Sequence, residues 1–248
     1  MRPLTSELGA APIVVLVRPQ MGENIGAAAR GMLNFGLEHM RLVAPRDGWP
    51  NPSAVAMASG AGPVLEHAGL FPTLPEALAD CDVVFATTAR QRGLVKPVLT
   101  PEGAMTEARA LIGAGKKVAV LFGPERAGLE NEDVARANAI ITIPVNPAFY
   151  SLNLAQGVLL LAYEWMRQTS DTPARAEHLA GTEFANALEV EKLGDHFEEK
   201  LDAAGFFFPE QKAAAMKLNL RNMLTRWGLT RAEVQTLHGV LRQLGRGR

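Results

Sequence analysis

The stretch Val118-Ala119-Val120-Leu121-Phe122-Gly123-Pro124-Glu125-Arg126-Ala127-Gly128-Leu129 decides how this chain folds. Its first five residues are continuously apolar, the pattern of a strand covered on both faces, and Gly123-Pro124 ends the run abruptly. Such strands belong to parallel sheets flanked by helices. Outward from it, similar runs occur at Ile13–Val17, Met40–Val43, 83–86 and 139–143, separated by helical patterns over 25–35, 74–79 and 106–112. The alternation predicts an α/β domain with a mainly parallel buried sheet. A long helix over 152–166, without proline and aliphatic around most of its circumference, is expected to be buried on more than one side.

Composition narrows the class. The chain has 248 residues, 48% apolar and 21% charged, which excludes a fibrous or wholly disordered protein. With 25 basic and 26 acidic side chains there is no global attraction to a polyanion, so any nucleic-acid footprint must be local. Cys81 is the single cysteine, which excludes an intramolecular disulfide, a zinc ribbon and a Cys-x-x-Cys redox site. His39, His67, His178, His196 and His238 lack metal-ligand spacing and read as structural or solvated, so no metal is expected. Residues 1–11 lack the apolar core of a secretory signal and no run approaches a membrane span, so no membrane partner and a cytoplasmic location are expected.

Three domain-level segments follow: an α/β domain over 1–168, a polar linker over 169–182 and a helical extension over 183–248. Residues 183–210 carry eight acids against Lys192 and Lys200; residues 211–248 carry eight bases against Glu233, a net of +7. Lys212, Lys217, Arg221 and Arg226 in that basic stretch are candidates for polyanion contact, and a solvated helix face is the equal alternative.

Three turns carry the candidate chemistry. In Asn24-Ile25-Gly26-Ala27-Ala28-Ala29-Arg30, Asn24 is read as a helix cap, Gly26 and the alanines make a thin face, and Arg30 reaches over the helix start. An ordinary capped helix with a surface arginine is the plainer reading. In the stretch quoted first, Gly123 and Gly128 bracket Glu125 beside Arg126. No Gly-Lys-Ser/Thr and no Gly-x-Gly-x-x-Gly follows the strand, so ordinary triphosphate and dinucleotide sites lose support. In Ile143-Pro144-Val145-Asn146-Pro147-Ala148-Phe149-Tyr150-Ser151-Leu152-Asn153, Ser151 is a plausible cap, and Asn153 needs a partner if it is buried at the opening of an apolar helix.

Together and in this order the three turns resemble the SpoU/TrmH branch of the SPOUT trefoil-knot RNA methyltransferases, with Asn-x-Gly-x-x-x-Arg at 24–30, Gly-x-Glu-x-x-Gly-Leu at 123–129 and Ser-Leu-Asn at 151–153. The likeness covers residues 11–168. A catalytic domain followed by a basic helical extension is similar to the TrmJ subfamily, tRNA (cytidine/uridine-2'-O)-methyltransferases acting at anticodon-loop nucleotide 32. The resemblance implies a deep trefoil knot and a homodimer packed through it. It also implies bent S-adenosylmethionine bound by Thr87, Thr88, Ala89, Gly123, Glu125, Gly128, Ile143, Pro144, Tyr150, Ser151, Leu152 and Asn153. The implied substrate is tRNA, held by Arg30, Arg126 and the basic residues of the extension.

In the catalytic set the resemblance implies, Arg30 activates the 2'-hydroxyl, in some family proposals as a general base. Because guanidinium groups in proteins hardly ever lose a proton, the role expected here is a fixed positive charge facing the developing 2'-oxyanion, with Asn24 orienting Arg30 or the ribose. Glu125 holds the guanidinium or the third turn, and Ser151 and Asn153 fix the cofactor loop and the sugar. Alternatives are a ribosomal RNA target, a knotted RNA-binding protein without chemistry, and an unrelated α/β enzyme that binds phosphate through Arg30 and Arg126.

Overall fold

The short apolar runs become neighbouring strands because each can be covered from both sides. The structure, a computed structural model, describes residues 10–88, 94–174 and 179–245. By contacts the chain divides into the units Met1–Asp171 and Thr172–Arg248. In the first, β1 (Ile13–Val17), β2 (Met40–Val43), β3 (Gly69–Phe71), β4 (Val83–Thr87), β5 (Val98–Leu99), β6 (Val118–Phe122) and β7 (Ala139–Ile141) form one sheet. Its order is β3-β2-β1-β6-β4-β7-β5 and every neighbouring pair is parallel, with Leu16 opposite both Leu42 and Phe122.

Among the described residues seven helices of this unit pack on the two faces: α1 (Gly22–Asn34), α2 (Pro52–Ala58), α3 (Gly62–Glu66), α4 (Leu74–Leu78), α5 (Pro101–Gly113), α6 (Asn131–Ala135) and α7 (Leu154–Arg167). Alternate residues of β1 enter two separate cores. Val14 and Leu16 join Ile25, Met32, Phe85, Met105 and Val158 beneath α1, α5 and α7; Val15 and Val17 join Leu74, Leu121 and Val134 beneath α4 and α6. Each such side chain contributes about 1.5–3 kcal/mol over its exposed state.

Two sequence expectations change here. α7 begins at Leu154 rather than 152, and it is buried along one side only: Leu159, Leu160 and Tyr163 are exposed. The short elements α2, α3 and β3 were not anticipated. Pro52 and Pro63 occupy the first helical turn of α2 and α3, where a missing N–H costs nothing, and β3 is an edge strand whose Leu70 faces out.

In the second unit α8 (Ala187–Ala203), α9 (Glu210–Arg226) and α10 (Arg231–Leu244) enclose Leu193, Leu224, Val234 and Leu241. An antiparallel bridge joins Phe184 to Thr230. Among the described residues no helix is long and apolar enough to cross a membrane.

Candidate active site

Strands β1, β6, β4 and β7 lie side by side, so the loops leaving their carboxyl ends meet. That edge is where open parallel sheets present ligand crevices. A cleft of about 860 Å³, counted to its open mouth, lies there. Thr87 and Thr88 from β4, Gly123 through Gly128 after β6, and Ile143, Val145, Tyr150, Ser151, Leu152 and Asn153 after β7 line it. Of the residues expected to hold the cofactor, Pro144 is not in the lining and Ala89 lies outside the described residues. Phe122, Ile141, Leu154 and Gly157 were not anticipated in the lining; they are the ends of buried elements, which read from sequence as core alone.

One chain of hydrogen bonds ties the three turns together. The Glu125 carboxylate accepts from the backbone N–H of Gln20 at 2.9 Å, that of Met21 at 3.3 Å and Asn24 Nδ2 at 2.7 Å. Asn24 Oδ1 in turn accepts from Asn153 Nδ2 at 2.9 Å. Asn24 is only 9% exposed, so both ends of its amide need these partners. Glu125 thereby places negative charge at the amino end of α1, which suits the helix dipole.

This network corrects two expectations about helix caps and narrows two open alternatives. Asn24 does not cap α1: the cap position is Met21, which has no side-chain bond, and Glu125 satisfies the chain just before the helix instead. Asn24 is bonded to Glu125 and Asn153, not to Arg30. Glu125 holds the first turn, not a guanidinium. The cap of α7 is Asn153 rather than Ser151: its side chain accepts from Ala155 N at 2.9 Å while Gln156 accepts from Asn153 N at 3.2 Å. Ser151 stays exposed at the lip of the cleft.

Glycine sets two close approaches. A Cβ on Gly123 would strike the backbone of Gly128 and Leu129, and Gly128 has φ +66°, so the turn after β6 folds onto itself. A Cβ on Gly26 would strike the Ala54 carbonyl of α2.

The arginines separate by environment. Arg126 is exposed and lines the cleft. Arg30 is exposed on α1, is absent from the lining, and has no ion pair among the described residues. In the second unit Arg221 pairs with Asp195 at 2.6 Å and Glu198 at 2.7 Å, over the space left by Gly194. Those bonds raise its pKa further above the usual arginine value. Lys217 leans over the Phe207 ring at 5.0 Å with Asp202 4.0 Å away. Lys212 and Arg226 are exposed without an ion pair among the described residues. The reversal of charge along the extension is therefore partly internal, acidic α8 answering α9 and α10, which neither sequence reading contained. His196 and His238 meet with their Nδ1 atoms 2.8 Å apart; His178 lies outside the described residues. Among the described residues no group of three or more His, Cys, Asp or Glu is placed to hold a metal.

The cleft's apolar walls and Gly-Pro backbone suit a flat heterocycle, with Arg126 at its margin for an anionic group. Comparison with known proteins agrees. The SpoU rRNA Methylase family model matches residues 11–163, and the model of the C-terminal domain of the tRNA methyltransferase TrmJ matches 188–247. The crystal structure of TrmJ from Z. mobilis ZM4 is 52% identical, with a TM-score of 0.84 over 95% of this chain and 99% of that one. The tRNA (cytidine/uridine/adenosine-2'-O-)-methyltransferase TrmJ of Pseudomonas aeruginosa is 38% identical over 92% of this chain and 91% of its own length. The tRNA (cytidine/uridine-2'-O-)-methyltransferase TrmJ of Escherichia coli K12 is 36% identical over 92% of both. The chain belongs to the SpoU methylase family and is like that family's TrmJ members over nearly its whole length.

Proposed function

We propose that this protein methylates the ribose 2'-hydroxyl of a pyrimidine nucleotide in the tRNA anticodon loop. The observation that carries the reading is the Asn24–Glu125–Asn153 network, which draws the three motif turns to one cleft. S-adenosylmethionine, when bound, supplies an electrophilic methyl group. Thr87, Thr88, Gly123, Gly128, Ile143, Tyr150, Ser151 and Leu152 would hold it, apolar side chains against its flat part and backbone groups against its polar edges.

The chain's own contribution is charge and position. Arg30 supplies a fixed positive charge that stabilises the 2'-oxygen as negative charge grows there. It also grips the adjacent phosphate, and the proton leaves to solvent or to that phosphate. Asn24 and Glu125 fix the entry of α1, and so the face from which Arg30 projects. Ser151 and Asn153 fix the loop after β7 and the sugar.

Arg30 stands outside the cleft of its own chain, which supports a site completed by a second copy. The homodimer packs through the knot formed by the turns after β6 and β7, with exposed Leu160 and Tyr163 of α7 supplying apolar area. Sedimentation as a stable monomer at micromolar concentration counts against that arrangement. Residues 1–168 form the methyltransferase domain, and the extension grips tRNA phosphates through Lys212 and Arg226, which have no ion pair among the described residues.

The test is direct. The protein is incubated with unmodified tRNA and, separately, with ribosomal RNA in the presence of isotopically labelled S-adenosylmethionine, and the nucleosides are resolved by mass spectrometry. Labelled 2'-O-methylcytidine or 2'-O-methyluridine is expected. Label found only in ribosomal RNA, or none in any RNA, overturns the reading. The Pseudomonas relative is named for adenosine as well, so 2'-O-methyladenosine extends the substrate class without changing the chemistry.

A further inference from the structure

Among the described residues two polar or charged side chains are buried, Asn24 at 9% and Asp133 at 5% exposure. Asn24 belongs to the network above. Asp133 lies outside every motif, in the first turn of α6, and its partner is Arg18 at the exit of β1. Arg18 Nη1 donates to Asp133 Oδ1 at 3.3 Å, Nη2 bonds Oδ2, and Glu130 lies 3.4 Å from the same nitrogen. Asp133 Oδ2 also accepts the Glu130 N–H at 2.8 Å, closing the cap of α6.

The backbone of Arg18 is sharply bent where this contact is made. Its φ is +48°, in the left-handed region that branched and long side chains avoid, and its N–H is held by the Val43 carbonyl at 2.8 Å. The three residues that follow lead to the N–H groups of Gln20 and Met21, which Glu125 binds. The turn after β6 is therefore fastened twice to one short segment after β1: at Glu125 through Gln20, Met21 and Asn24, and at Asp133 through Arg18. Between the two fastenings lie Arg126, Ala127 and Gly128, which line the cleft.

We propose that Arg18 and Asp133 are positioning residues for the methyl donor, their ion pair holding the far end of the turn after β6 at the spacing the cofactor requires although neither side chain lines the cleft. The proposal rests on reading the cleft as the S-adenosylmethionine site. A bidentate pair resists both sliding and rotation of the turn, which a single ammonium contact does not.

The experiment is titration calorimetry with S-adenosylhomocysteine on the full chain, well below its melting temperature. Arg18→Gln and Asp133→Asn are each expected to weaken binding about tenfold, which corresponds to about 1.4 kcal/mol. The double variant is no weaker than the worse single, and Arg18→Lys, the milder change, recovers part of the loss. KM for tRNA stays within about twofold of wild type. Met105→Ala, in the core beneath α5, controls for general destabilisation: it lowers Tm and leaves the dissociation constant unchanged. Wild-type affinity in both single variants, or equal weakening by Met105→Ala, overturns the proposal while the cofactor site stands. A wild-type protein that binds no S-adenosylhomocysteine overturns the reading of the cleft, and the pair's role with it.

Discussion

Replacing Asn153 separates two jobs that one side chain performs. Its Oδ1 accepts from Ala155 N to cap α7, and its Nδ2 donates to Asn24 Oδ1. Asn153→Ala removes both: about 1 kcal/mol for the cap and about 1 kcal/mol for the side-chain bond. Asn153→Asp keeps an oxygen for the cap but has no donor. Asn24 cannot compensate by turning its amide over, because Glu125 already takes its Nδ2, and a flipped amide would face Glu125 with an oxygen. Asp is thus expected to cost about 1 kcal/mol and Ala about 2 kcal/mol. At about 2–4 °C per kcal/mol for a domain of this size, the transitions fall by about 2–4 °C and 4–8 °C. Scanning calorimetry on the full chain measures both, and methyl transfer to tRNA is assayed in parallel. Equal losses for the two variants would refute the cap's contribution; an aspartate variant as stable as wild type would refute the link to Asn24.

Further outcomes are as specific. Arg30→Ala should abolish methyl transfer while leaving S-adenosylhomocysteine affinity nearly intact, since Arg30 does not line the cleft; turnover within a few fold of wild type removes it from the mechanism. Gly26→Ala should cost about 1–3 kcal/mol by driving a methyl group into the Ala54 carbonyl, read as a lowered Tm. The double variant Lys212→Gln/Arg226→Gln should weaken tRNA binding and flatten its dependence on salt, whereas Arg221→Gln, already paired internally, should act mainly through stability. Burial, then the neighbouring His196 and Arg242, hold the His238 ring below its ordinary value of 6.5. The unfolded chain therefore binds the extra proton more readily, and this contribution to stability is present above about pH 6.5 and lost as pH falls. The protection of α8 and α10 amides, the slowing of their exchange relative to that of an unstructured chain at the same pH, should fall between pH 7.5 and 5.5, and His238→Gln should remove the difference.

The sheet was legible because strands covered on both faces leave unbroken apolar runs, as at Val118–Phe122. The cleft followed from the resemblance, not from periodicity. What links its walls has no local signature: Glu125 and Asn24 are 101 positions apart, and the trace in the sequence is only that Met21, where α1 needs a capping oxygen, has none to offer. The cap of α7 does have a local signature, the Asn-x-x-Gln pattern of Asn153 and Gln156, which competes with Ser151 two residues earlier. In the extension, opposite charge on successive segments was weighed as a polyanion surface or a solvated face. Arg221 meeting Asp195 and Glu198 is a third outcome, visible only once α8 and α9 are folded side by side.

The position of β6 between β1 and β4 also sets a timetable for synthesis. At about 5–20 residues per second, a ribosome needs roughly 5 to 20 s to pass from residue 17 to residue 122. Throughout that interval β1 lacks the strand that separates it from β4 in the finished sheet, as does β4 once residue 87 has been added, and each then carries a bare hydrogen-bonding edge. Nascent chains stalled before residue 118 should therefore recruit holding chaperones, and those released after β6 has emerged should not.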